Sequence, residues 1–405
     1  MSQVKKNIVW LTITQISSYV FPLLTLPYLI RVLGMNVYGV YAIVLAFSQY
    51  LLLLVDFGYN LTATREVALV KEDKIELSKV FWTTMLSKLF LCILGFVSTI
   101  TVIFFYNTQF ILLSVVAYFS VLGNAFFPVW LYQGLEKMRF LSIVSVISRS
   151  IVLLCTFIFV KNPYDLNYAV IVYGLTYIVP SIILNFNIWK QKLIVLYIPS
   201  FVEVYNSLKI SFPIFVSNFA ISFYTNFNSI LLSKYESISV VGSYYSADRV
   251  RIAAQTLLSP ISQAIYPRVC DSQKKKKNKE LLKFGFRFVL VGVFISIGVA
   301  IFSFTFSNMY FGHENTYAPK FLMMMSPIIG IVSIAMVFGH WFMAGNGYNR
   351  QLSYLYASCS ILHLCYSIPL VNIFGVQGLI FSSIMTQLLI ALIMILFYLR
   401  KRIMK

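Results

Sequence analysis

At 405 residues with 59% hydrophobic, 17% aromatic and only 11% charged side chains, the chain is too poor in charge for a water-exposed globule, where roughly 25% is usual. Its apolar residues come in runs of about 20, the helix length needed to cross ~30 Å of hydrocarbon at ~1.5 Å per residue. The net charge of +19 falls in alternate loops rather than in a nucleic-acid module, so the expected partner is the lipid bilayer and not nucleic acid.

The first apolar run follows Lys5 and Lys6 and extends over 8–31 without a small-residue cleavage pattern, which predicts a retained span rather than a signal peptide. Further spans are predicted over 38–57, 81–106, 110–132, 141–160, 167–189, 209–232, 241–267, 284–310, 321–344, 351–371 and 376–399. The expectation is an all-α, polytopic membrane protein of about 12 transmembrane helices in two six-helix lobes, residues 1–195 and 196–405. The less hydrophobic stretch from Lys190 to Ser207, with Pro199, is the expected linker. Cys92, Cys155, Cys270, Cys359 and Cys365 are odd in number and lack metal-ligand spacing, so neither a disulfide framework nor a metal site is expected.

Most of the 32 basic residues fall in one set of alternate loops, including the run Lys274 to Lys277, which sets the topology and attracts anionic headgroups. By the positive-inside rule both termini are expected in the cytoplasm. The chain also repeats: Phe127, Trp130, Gly134, Arg139, Leu141 and Ser142 recur as Phe338, Trp341, Gly345, Arg350, Leu352 and Ser353, all at an offset of 211. Two parallel halves are a recurrent plan among transporters.

The segments "LPYLIRVLG" and "YGVYA" near the end of the first span, "DFGYNLTATREVA" after the second, and "VGSYYSADRVRIAAQTLLSPISQAIYPR" through the eighth give the whole chain its resemblance. It resembles the Wzx-type polysaccharide (O-antigen) flippases of the multidrug/oligosaccharidyl-lipid/polysaccharide exporter superfamily. The resemblance implies two lobes around a central cavity, alternating access, and an undecaprenyl-diphosphate-linked saccharide as cargo in a bacterial cytoplasmic (inner) membrane. Other polysaccharide-assembly membrane proteins are further candidate partners. Relatives of the same architecture export drugs, and a cation-coupled drug or metabolite exporter is the alternative reading.

A cation within the hydrocarbon is expensive and normally faces a protein interior or a wet cavity, so the basic residues inside spans are the candidate binding groups. Arg149 lies near mid-depth of the fifth span and is expected to line the cavity. Lys88 is expected either there or snorkelling back to the cytoplasmic interface. In the eighth span Asp248 and Arg251 are three residues apart on one helix face and can pair, whereas Arg249 points about 100° away. That arrangement suits a diphosphate, since guanidinium offers paired donors to phosphate oxygens; an interhelical salt-bridge network is the structural alternative.

Asp56 is a candidate gate with Arg65, a candidate ion-coupling group, or a marker of a span end; Asp248 is a further candidate for gating or ion coupling, and Arg31 a candidate outer gate or headgroup contact. His340 and His363 can exchange protons near neutral pH or serve as hydrogen-bonded structural residues. Pro22, Pro27, Pro128, Pro213, Pro260, Pro327 and Pro369 are candidate hinges. No nucleotide-binding loop, metal cluster or cofactor motif is present, and the outer loops are at most about ten residues, so an ATP-driven pump and a saccharide polymerase are both disfavoured. The chain reads as a transporter and not an enzyme.

Overall fold

An apolar helix much longer than a membrane is thick must break to cross it twice, and the first helix does so at a glycine. The computed structural model describes residues 3–106, 111–225, 227–263, 265, 269, 278–312 and 315–403. Among them α1 (Gln3–Asp56) has 54 residues, which at ~1.5 Å per residue is more than twice the ~30 Å of a hydrocarbon core. It divides at Gly34, with φ 72° and ψ 162°, a backbone region essentially closed to side-chain-bearing residues.

The chain continues through α2 (Tyr59–Val70), α3 (Lys74–Tyr106), α4 (Ile111–Ala125), α5 (Val129–Gly134), α6 (Met138–Phe159), α7 (Leu166–Lys190), α8 (Phe201–Thr225), α9 (Phe227–Leu232) and α10 (Ile238–Thr256). After these come α11 (Asn278–Thr305), α12 (Ser307–Phe311), α13 (Tyr317–Met325), α14 (Pro327–Ala335), a π-helical stretch (Met336–Met343) and α15 (Asn349–Ile403). The 55-residue α15 divides at Gly375, φ 57°. Eight of the described helical stretches are long and apolar enough to cross a membrane, those over Val9–Val70 and Arg350–Arg402 being 62 and 53 residues long. The expected all-helical, polytopic class is therefore the observed one, and no strand occurs among the described residues.

One predicted span is interrupted. The run 241–267 is helical only to Thr256 before a turn at Leu257 and a new helical start at 258. Pro260 explains the stop: it has no N–H for the Thr256 carbonyl and its ring crowds that carbonyl. Pro22 and Pro27 lie inside α1, Pro213 inside α8 and Pro369 inside α15, while Pro327 opens α14.

Two compact units emerge. The first comprises Met1–Leu33 and Ile43–Phe219, the second Gly34–Ala42 and Ala220–Lys405. The core of the first gathers around Trp130, Leu131, Tyr132, Leu184 and Ile188. Within the second, Gly39 and Gly242 let two helices approach backbone to backbone; a Cβ on Gly39 would sit 2.0 Å from the Ile238 carbonyl oxygen. Such close crossings rely on small residues where lipid gives no hydrophobic drive to helix association.

The sequence repeat has a backbone counterpart. Trp130 and Trp341 are both fully buried, each against a phenylalanine: Phe81 at 5.8 Å and Phe288 at 4.9 Å between ring centroids. Each helix end then closes with the same pair of hydrogen bonds. Lys137 N–H donates to the Tyr132 carbonyl and Tyr348 N–H to that of Met343, both at 2.9 Å; Glu136 N–H and Gly347 N–H donate to Gln133 and Ala344 at 3.1 and 3.0 Å. This is the Schellman closure, which requires a left-handed residue just past the helix. Here that residue is Glu136 (φ 58°) in one copy and Gly347 (φ 81°) in the other, again 211 apart.

The stretch 191–200, inside the first compact unit, lies along α3 as a strap. Trp82 Nε1 donates to the Val195 carbonyl at 2.9 Å, Val195 N–H donates to Ser78 Oγ at 2.8 Å, and Lys79 meets Glu203 at 3.1 Å. The Glu203 carboxylate accepts from Ser200 N–H and the Tyr197 hydroxyl, and these donors, Ser200 foremost, hold it down to about 2.

Candidate functional site

Residues on four helices of the first unit surround two cations, Lys88 buried and Arg149 partly buried. Arg149, on α6, donates from Nη1 to Ser17 Oγ at 2.6 Å and to the Thr14 carbonyl at 3.1 Å. Both acceptors belong to the first part of α1. Ser17 and Thr14 are neutral, and none of the ion pairs among the described residues includes Arg149. Its positive charge is solvated by the protein yet not cancelled.

Lys88 is treated differently. It is 1% exposed, with its ammonium donating to the Asn124 carbonyl at 3.0 Å and standing 4.0 Å from Asp56 Oδ1. Asp56 also accepts from Asn60 Nδ2 at 2.9 Å. The side chain thus turns inward to a carboxylate rather than snorkelling to an interface. The backbone reversal at Phe57 (φ 45°) and Gly58 (φ 88°) carries α2 away and leaves Arg65 exposed, so the partner of Asp56 is Lys88. Arg31 is likewise exposed, three residues before the break at Gly34.

In the second unit α10 carries the expected pair. Arg251 Nε and Nη2 both lie 2.7 Å from Asp248 Oδ1, and Nη1 donates to Gln255 Oε1 at 2.6 Å. The guanidinium is 8% exposed as a residue, and the pair as a whole is neutral. Arg249 projects elsewhere, lying over the Tyr245 ring at 4.5 Å and meeting its hydroxyl, with Tyr38 and Tyr41 as electrostatic neighbours. The run Lys274 to Lys277 lies outside the described residues.

Beside the Asp248–Arg251 pair is a cavity of about 230 Å³, lined by Asn228, Tyr244, Gln255, Ser383 and Gln387 together with Ile252, Met325, Ile328 and Ile380. Asn228 is fixed from behind: its Oδ1 lies 3.0 Å from His363 Nε2, and its Nδ2 donates to Ser383 Oγ at 3.0 Å. His363 is fully buried, and its Nδ1 meets Thr386 Oγ1 at 2.6 Å. It is a hydrogen-bonded structural histidine, whereas His340 is exposed.

Sequence reasoning missed the neutral half of both environments. Gln255 could have been found, since it stands four residues after Arg251 and Tyr244 four before Asp248 on the same face. Thr14, Ser17, Asn124 and Asn228 carry no comparable signal, because each bonds a residue on a helix far away in sequence, and Gln387 meets the cavity only once the chain is folded.

Comparisons with known proteins place this architecture. A family described as "Polysaccharide biosynthesis protein" matches residues 4–273. The chain is 33% identical over 400 residues to a protein of Shigella dysenteriae named "Putative O-antigen transporter", covering 96% of this chain and 99% of that one. It is 30% identical over 400 residues to a protein of Escherichia coli (strain K12) with the same name, covering 97% and 96%. Among solved structures it is similar to the inward-facing conformation of a multidrug resistance MATE family transporter of the MOP superfamily, with TM-score 0.77 and 15% identity over 98% of each chain. The outward-facing conformation of such a transporter gives TM-score 0.63 at 14% identity, over 98% of this chain and 96% of that one. At these identities the structural likeness establishes the fold alone.

Proposed function

Because the chain belongs to the polysaccharide biosynthesis protein family, we propose that it is a flippase for undecaprenyl-diphosphate-linked oligosaccharide repeat units, of the O-antigen kind. It is a multi-pass membrane transporter and not an enzyme. In this reading it works in a bacterial cytoplasmic membrane with both termini inside. About twelve crossings in two six-helix lobes open alternately to the two leaflets, and the lipid tail stays in the bilayer while the saccharide crosses. The relatives' shared name and the family match support the cargo class.

The observation that carries the anionic cargo is Arg149. A guanidinium inside a span costs ~2.5–3.5 kcal/mol on insertion scales, and here two neutral oxygens share it with no carboxylate. An ion that retains its charge at that expense is matched to an anion, and a diphosphate accepts paired guanidinium donors. Arg249 is the corresponding candidate in the second unit. Arg251, closed off by Asp248, is a weaker one. The neutral Lys88–Asp56 pair fits a gate or coupling element better than a phosphate site, since its charge is already met. Arg31 and Arg65 remain candidates for the two mouths.

The test is translocation of a fluorescent undecaprenyl-diphosphate saccharide in proteoliposomes at equal reconstituted amounts. Arg149→Ala is expected to lower the rate at least tenfold, and Arg149→Lys to restore part of it through charge without the planar fork. A native protein that leaves this lipid in place and exports a cationic dye instead would overturn the assignment in favour of a drug exporter.

A further inference from the structure

Two helix faces meet around the cavity of the second unit. On α10 the lining residues Tyr244, Asp248, Arg251 and Gln255 recur at intervals of four, three and four, which places them in one stripe. On the second part of α15, Ile380, Ser383 and Gln387 do the same at intervals of three and four. Asn228 also lines the cavity, and Met325 and Ile328 supply apolar surface.

The chemistry of this lining excludes most ligands a transporter could hold. A phosphate finds no available charge, because both edges of the Arg251 guanidinium are taken, by Asp248 and by Gln255. A cation finds its carboxylate already neutralised. An acyl chain or apolar drug would cover the amides and hydroxyls without giving them partners, at a cost for each. What remains is a neutral molecule with both donors and acceptors on its edge and an apolar face. Gln387 makes no hydrogen bond within the described chain, and Gln255, whose Oε1 accepts from Arg251, keeps its amide N–H donors for a ligand. At about 230 Å³ the space falls below the ~300–1,000 Å³ of pockets for drug-sized ligands, which suits one ring and not an oligosaccharide.

We infer that this cavity is a subsite for a single neutral pyranose ring of the transported saccharide, with Asn228, Gln255, Ser383 and Gln387 bonding its hydroxyls and Met325 and Ile328 meeting its C–H face. The inference rests on the saccharide-transport reading above and adds a division of labour to it. The diphosphate is recognised at Arg149, and sugar selectivity arises separately, in a charge-neutral pocket of the second unit.

The test compares undecaprenyl diphosphate carrying one glucose, galactose, N-acetylglucosamine or N-acetylgalactosamine with sugar-free undecaprenyl diphosphate in proteoliposomes. The native chain is expected to move at least one of the four sugar-bearing lipids about tenfold faster than the sugar-free lipid. Gln387→Leu should remove that preference while leaving the sugar-free rate unchanged, and Asn228→Ala should act likewise. Gln387→Leu breaks no bond within the described chain, so it decides the matter where Asn228→Ala fails to fold. An intact preference in Gln387→Leu, an equal slowing of all lipids, or a native chain that ignores the sugar would each overturn the subsite and leave the flippase standing. A native chain that moves none of these lipids would overturn both.

Discussion

Among the described residues, the buried Lys88 and the partly buried Asp56 form an ion pair that spacing along a single helix did not predict. Taking both charges out of water is costly, and the pair is retained only because each meets the other. Asp56→Ala is therefore expected to cost about 3–5 kcal/mol, since it leaves a buried ammonium with the Asn124 carbonyl alone, whereas the double change Asp56→Leu with Lys88→Met should restore most of that loss. Thermal unfolding in detergent, monitored on both variants, checks the contrast. Legibility at this scale followed distance along the chain. Asp248 and Arg251 share a face of one helix and were paired from spacing; Asp56 lies near Arg65 in sequence but is turned toward α3 by the left-handed residues Phe57 and Gly58, a reversal that side-chain types do not announce. Arg149 was recognised as an interior cation from its depth alone, while its acceptors on α1 were not.

The paired helix closures at Glu136 and Gly347 make the repeat a matter of backbone geometry. Glu136 occupies a left-handed position that glycine adopts freely, so Glu136→Gly should stabilise by about 0.5–1 kcal/mol, and Gly347→Ala should destabilise by about the same amount. Glu136→Gly also removes the solvent-exposed ion pair with Lys71, at 3.6 Å, which contributes up to about 1 kcal/mol, so the comparison is made in a Lys71→Ala background where that pair is already absent. Melting temperatures moving in opposite directions would confirm the equivalence. The strap beside α3 offers a pH prediction. The Glu203 carboxyl, held at about 2, lies below its unfolded value of ~4.3, so its stabilising effect is complete above that value and is lost as pH falls toward 2. Amide exchange at Val195, corrected for intrinsic rate, should rise across that interval, and Glu203→Gln should already show the raised exchange at neutral pH. Element breaks were legible where glycine stands between apolar runs, as at Gly34 and Gly375. At Thr256 the break was legible only as the candidate hinge Pro260, because the apolar pattern runs on past it.

At the scale of the molecule, the placement of Lys and Arg in alternate loops is a statement about orientation that helix packing does not contain. A reporter fused after Lys405 is expected to be active in its cytoplasmic form and silent in its exported form. The polytopic class was readable from composition because lipid imposes a length and an apolarity on every crossing. The neutral cavity was not, because its walls come from α9, α10, α13, α14 and α15, and only folding assembles them.

Residues 34–42 belong to the second unit although the helix that carries them begins in the first. The gene is consequently harder to divide than a duplicated protein would suggest. A cut between 219 and 220 leaves Gly39 on one fragment and Gly242 on the other, separating the two halves of the close backbone crossing. Fragment 220–405 produced alone is expected to aggregate in detergent, and to become monodisperse when 1–219 is made in the same cell. The segment that makes the chain indivisible is thus also a built-in affinity tag of one half for the other.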